Sequence, residues 1–161
     1  MSRRSRAREI VLQVLFQDDL NSPSPDDVLN RFVRTRLKGD QHLIDFAKVL
    51  ISGVRQYRDK IDEQLEITAE NWRLSRMAAT DRNILRLGSY EILYSDTPDR
   101  VAINEAIELA KRFGTANSAQ FVNGILDRLM KQNDTTSAEA ATGHQAGLTE
   151  SVPETEDTEN N

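Results

Sequence analysis

Apolar residues recur along this chain with the 3.6-residue period of amphipathic helices. Ala7, Ile10, Val11, Val14 and Leu15 form the first stripe, widened by Leu12 and Phe16, so the first helix is expected to be buried on two sides. Asn21-Ser22-Pro23-Ser24-Pro25 ends it, and Ser24 fits as the cap of a second helix with Pro25 at its first position and Asp26 and Asp27 in its first turn. Val28, Leu29, Phe32, Val33 and Leu37 give that helix its face. After the break at Lys38-Gly39-Asp40, Asp40 can cap a third helix with Leu43, Phe46, Ala47, Leu50, Ile51 and Val54 on its apolar side. Ile61, Leu65 and Ile67 suggest a short fourth segment ending near Asn71 and Trp72. Residues 73–79 read as a link.

Beyond the link, Thr80 or Asp81 opens a helix through Ile84, Leu85, Leu87, Ile92 and Leu93, stopped by Asp96-Thr97-Pro98. The next carries Ile103, Ala106, Ile107 and Ala110, with Gly114 where a left-handed C-terminal cap belongs. Asn117 or Ser118 caps the last, whose face is Val122, Ile125, Leu126 and Leu129. A Gly at 124 inside it suggests close approach of another helix. No segment alternates with period 2, so the expected fold class is all-α, with three N-terminal helices and three or four C-terminal ones.

The length of 161 residues is ample for a core. No apolar run approaches the ~20 residues of a membrane-spanning helix, and no apolar signal core follows the N-terminal arginines. With no Cys and only His42 and His144, disulfides, thiolate metal sites and a His-based zinc site are excluded. The expected class is a soluble cytoplasmic protein.

Charge changes the picture, because the net −5 hides two opposite ends. Residues 133–161 contain no Lys or Arg and seven of the 26 acidic residues, which leaves residues 1–132 with 21 basic against 19 acidic, net +2. This tail has no aromatic residue and is expected to be disordered. At the other end Arg3, Arg4, Arg6 and Arg8 fall within eight residues. Cations at a helix N-terminus face the positive end of its dipole, and Glu9 alone is near in sequence. The run therefore suits an external polyanion, with guanidinium forks on phosphates; the alternative is a solvated, frayed terminus.

Catalytic chemistry is not evident. There is no Gly-rich phosphate loop and no His-Glu-x-x-His pair, and His42 falls in the first turn of a helix. The pairs Asp18-Asp19 and Asp26-Asp27 lie at helix ends, where they are read as complements of the dipole. Phe121 lies at the shoulder of the last apolar face, as core or as an exposed platform for a base.

Three motifs together resemble one family. Arg3-Arg4-Ser5-Arg6-Ala7-Arg8-Glu9 followed by Val14-Leu15-Phe16-Gln17 resembles the start of NusB transcription antitermination proteins. Asp81-Arg82-Asn83-Ile84-Leu85-Arg86-Leu87 with Tyr90-Glu91 is similar to the family's central helix. Val101-Ala102-Ile103-Asn104-Glu105-Ala106-Ile107-Glu108-Leu109-Ala110-Lys111, then Phe113-Gly114 and Phe121-Val122-Asn123-Gly124-Ile125-Leu126-Asp127, is the most specific part. The resemblance spans residues 3–131.

It implies two perpendicular three- or four-helix bundles, about 1–72 and 73–132, ahead of the acidic tail 133–161. It implies a binding protein without cofactor or metal, not an enzyme. The partners implied are boxA RNA, the ribosomal protein NusE and the RNA polymerase antitermination complex, with no membrane; self-pairing of the free chain stays open. By the same resemblance Arg3, Arg4, Arg6 and Arg8 supply the arginine motif for RNA. Phe16, where a Tyr is frequent, and Asn117, Gln120 and Phe121 extend that surface. Asp81 faces the protein partner.

Overall fold

The structure, a computed structural model, describes residues 2–145, which form six α-helices with no strand among the described residues. Helices α1 (Arg3–Leu20), α2 (Asp26–Arg36) and α3 (Gln41–Thr68) precede a single 3₁₀ turn at Leu74–Arg76; α4 (Ala79–Tyr94), α5 (Asp99–Phe113) and α6 (Ser118–Gln145) follow.

Local chemistry accounts for most boundaries. The Ser2 hydroxyl accepts from the Ser5 N–H at 3.0 Å and starts α1. Asp40 accepts from the Leu43 N–H and caps α3 as expected. Between them the chain turns through left-handed Lys38 (φ 53°) and Gly39 (φ 71°). Helix α2 starts one residue late, with Pro25 in the cap position and no side-chain cap.

The expected fourth segment is not separate. Ile61 and Leu65 continue α3, which runs 28 residues. Residues 55–60 contain no Gly or Pro, and Ile61 stands seven positions after Val54, so the stripe never breaks. Ile67, expected on that face, is exposed.

Helix α4 is the centre. It packs against α1, α3, α5 and α6, and every residue from Asn83 to Ile92 is buried. The buried apolar side chains of all six helices form one cluster. Close approaches need glycine at two points: a Cβ at Gly53 would overlap the Tyr90 ring, and one at Gly88 would crowd Leu126.

A helix buried all round needs internal partners for its charged groups. Arg86 donates to both Asp62 oxygens at 2.8 and 3.0 Å and to Asp19 at 3.1 Å. Arg82 and Asn83 also donate to Asp19, at 2.6 and 3.1 Å. Asp18 binds Arg55 through two bonds. This corrects one reading of the helix-end acids. Asp26 and Asp27 do lie in the first turn of α2, but Asp18 and Asp19 sit at the carboxyl end of α1, where the dipole is negative. Arginines of α3 and α4 hold them instead.

Three further expectations change. Gly114 is extended (φ −90°, ψ −166°), not left-handed; a Cβ there would collide with Ser118 and the Ala110 carbonyl. Gly124 meets nothing a Cβ would touch, so no helix packs on it. Helix α6 also continues past Gln132 into the stretch expected to be disordered, through an alanine-rich segment that favours helix. Its side chains from Asp134 to Gly143 are exposed, and residues 146–161 of that expected tail lie outside the described residues. No helix among the described residues is long and apolar enough to cross a membrane.

Candidate nucleic-acid interface

Helical periodicity divides the arginine run. Arg3, Arg4 and Arg6 are exposed, whereas Arg8 is 3% exposed. Arg4 and Arg8, one turn apart, lie over the same Phe46 ring of α3, at 4.7 and 5.1 Å from its centroid. Arg4 covers it from the solvent side and makes no ion pair among the described residues. Arg8 goes inward. Its Nη2 donates to Glu91 at 2.7 Å and its Nε at 3.0 Å, Thr97 donates to the same carboxylate at 3.1 Å, and Glu105 stands 3.7 Å from its Nη1.

Arg3 and Arg6 have partners too. Arg3 pairs with Asp40. Arg6 reaches Glu9 at 2.8 Å, and Arg112 from the end of α5 pairs with the other oxygen of Glu9. Ser5 donates to Glu105 at 2.8 Å. Apart from Arg4, the arginines are therefore not left unpaired as the sequence suggested. The carboxylates, however, lie inside and the guanidiniums outside: Glu9 is 3% exposed, Arg6 46% and Arg112 50%. The surface presented to solvent is cationic.

Beyond Arg6, the outward arc of α1 carries Gln13, Phe16, Gln17 and Leu20; Phe16, Gln17 and Leu20 are exposed. Phe16 is 36% exposed. Arg36 of α2 donates to Gln13 at 3.0 Å.

A second group gathers at the corner between α5 and α6. The Thr115 N–H donates to the buried Ser118 hydroxyl at 2.9 Å, and the Asn117 carbonyl accepts from the Phe121 N–H at 3.1 Å. Asn117 and Gln120 are exposed. Phe121 is half-buried and meets Trp72 edge-to-face, with centroids 5.4 Å apart and planes at 73°. Trp72 itself is 57% exposed. Together with Met77, Asp81 and Asn117 these rings line one cleft of about 350 Å³. Asp81 turns one carboxylate oxygen into buried space, where it has no hydrogen-bond partner among the described residues.

The structure thus brings Asn117, Phe121 and Asp81 to one cleft and Arg3, Arg4 and Arg6 to another surface. Arg112 leads from one to the other: it touches Glu9 beside Arg6, and its guanidinium lies 5.6 Å from the ring of Phe113, next to the corner. Sequence reasoning missed Arg112, Trp72, Glu91 and Glu105. Only Arg112 had a local signal, as a cation just before Phe113-Gly114; the others gain meaning from contacts across the fold. Among the described residues no cluster of acids and histidines is arranged to hold a metal. Exposed guanidiniums beside accessible rings suit a polyanion whose bases can stack.

Comparison with known proteins points the same way. A model of the NusB family matches residues 5–131. The transcription antitermination protein NusB of Anaeromyxobacter dehalogenans is 48% identical over 128 residues, covering 80% of this chain and 90% of its own length. Among solved structures, T. maritima NusB superposes with a TM-score of 0.71 at 40% identity, over 81% of this chain and 92% of that one. A chain of the crystal structure of antitermination factors NusB and NusE in complex with dsRNA superposes with a TM-score of 0.72 at 26% identity, over 82% and 98%.

Proposed function

The chain belongs to the NusB family, and from that premise we propose that it acts as a transcription antitermination factor. It binds boxA-type sequence in nascent ribosomal RNA together with NusE and supports read-through by RNA polymerase in the cytoplasm. It is a binding protein, not an enzyme. The observation that carries this reading is the shared fold, over 82% of the chain, with a structure that holds NusB, NusE and RNA together.

In this reading the outward guanidiniums of Arg3, Arg4 and Arg6 take phosphates, each fork offering two charge-assisted bonds. Arg8 serves the RNA face from beneath, by fixing the second turn of α1 on Glu91. Phe16 and Phe121 offer ring faces to bases, and Asn117 and Gln120 offer amides. Asp81, partly exposed where it lines the cleft beside Phe121, faces NusE. RNA and protein partner then adjoin at the cleft that Phe121 and Asp81 share.

Labelled boxA-type RNA, titrated with the chain alone and with NusE, tests this. The expected result is binding that prefers boxA over a scrambled sequence, weakens steeply with salt and tightens when NusE is present. Binding of NusE with no RNA preference would instead mark a protein scaffold.

A further inference from the structure

Residues 28–39 carry four cations, Arg31, Arg34, Arg36 and Lys38, and no acid. All four are exposed and none makes an ion pair among the described residues. The C-terminal dipole of α2 favours cations in its last turn, but it amounts to about half a charge and leaves most of this one uncompensated. The side chains are also placed. Arg36 donates to the neutral amide of Gln13 at 3.0 Å and lies 5.5 Å from the Phe32 ring centroid; Arg34 reaches the Gln41 amide at 3.5 Å. Amides and a ring orient these guanidiniums without spending their charge.

Their position relates to the arginine face. Around α1, Ser5 and Glu9 turn toward α5, and Arg3 turns toward Asp40 at the α2–α3 turn. At 3.6 residues per turn, Arg6 and Gln13 occupy the arc between. The arc is therefore bordered on one side by Arg112 of α5 and on the other by the end of α2, with Arg36 reaching across to Gln13.

We propose that Arg34, Arg36 and Lys38 form a second phosphate-binding ridge, which takes the backbone of single-stranded RNA flanking the segment held at the first turn of α1. The proposal rests on the RNA-binding reading above. It extends the contact from a point to a track that runs out along α1, and it is indifferent to base identity because it offers cations and no reading edge.

The test compares a boxA-type RNA of about 10 nucleotides with one of about 25 that adds unstructured oligo(U) flanks, across a salt series. The variant Arg34→Gln/Arg36→Gln/Lys38→Gln should bind the short RNA as the unaltered chain does. On the long RNA its salt slope should be shallower by roughly 2, at ~0.7 per lost phosphate contact, with affinity down more than about tenfold. Arg31→Gln, one turn back on the same helix, should change little. Unchanged affinity and slope of the triple variant on the long RNA would overturn the ridge, as would an equal loss from Arg31→Gln, which would reduce it to net charge. If the triple variant loses its helical circular dichroism, Arg36→Gln and Arg34→Gln/Lys38→Gln carry the same comparison separately. Failure of the underlying reading looks different: the unaltered chain then binds neither RNA, and the ridge falls with it.

Discussion

Arg8 and Glu91, 83 positions apart, form a two-pronged ion pair whose side chains are 3% and 1% exposed. The pair ties the second turn of α1 to the central helix. Removing one member leaves a buried charge without its counterpart, which costs about 3–5 kcal/mol. Both Arg8→Ala and Glu91→Gln should lower stability by that order in urea unfolding. Glu91→Gln keeps every arginine, so an equal loss of RNA binding in the two variants indicates that Arg8 works by positioning. A loss confined to Arg8→Ala would mean direct contact.

Arg4 and Arg6 should behave in the opposite way. Both are exposed, and the buried Glu9 beneath Arg6 keeps Arg112 as its partner when Arg6 is removed. Arg4→Ala/Arg6→Ala should therefore unfold within about 1 kcal/mol of the unaltered chain. Its RNA affinity should fall, with a salt slope shallower by about 1.4. An unchanged slope would remove these residues from the interface.

Phe121 is neither core nor free platform: it is half-buried against the core cluster and meets Trp72 edge-to-face. Phe121→Ala should cost about 1–2 kcal/mol of stability, below the ~3–5 of a fully buried ring. RNA binding should weaken by about 1–3 kcal/mol. Trp72→Ala should weaken RNA binding as well, and the double variant should lose less than the sum of the two, since one ring supports the other. Full additivity in the cycle would separate them.

Acid should act through Asp19. Burial alone would raise its carboxyl, but bonds from Arg82, Arg86 and Asn83 outweigh this and hold it below the usual carboxylate value. A group whose folded value is depressed contributes stability that is present above its unfolded value and is lost as pH falls through the folded one. Stability should thus be flat above about pH 4 on this account and decline below it. Asp19→Asn should be less stable at neutral pH and decline less steeply in acid. Parallel pH profiles for the two chains would count against this.

Truncation after Gln132 removes exposed helix but keeps the bond between Thr68 and Gln132 at 2.9 Å. It should shift stability by less than about 1 kcal/mol, read as a thermal midpoint. RNA affinity should rise slightly at low salt, because seven acidic residues leave with it.

The helices themselves were legible because each carries an unbroken apolar stripe, and Asp40 and Pro98 mark their ends in local code. Of the rest, the division of α3 and the cap at Gly114 are local matters, and the others are decided at long range. Nothing near Arg8 announces Glu91, so four arginines read as one unit until packing turned one of them inward. Asp18 and Asp19 looked like helix-end acids because Arg55, Arg82 and Arg86 lie tens of residues away. Trp72 read as the end of a segment; only the arrival of Phe121 gives it a role.

The central position of α4 also bears on how the chain is made. Synthesis delivers α1, α2 and α3 first, and at that stage Arg8 lacks Glu91 and Asp19 lacks Arg82 and Arg86. The apolar stripes of α1 and α3 have no α4 to close on. At 5–20 residues per second, adding the 16 residues of α4 takes roughly one to three seconds. Throughout that interval the nascent N-terminal half displays grease and unmatched charge together. Since α4 also packs on α5 and α6, those surfaces are fully covered only when the C-terminal helices have followed it out of the tunnel.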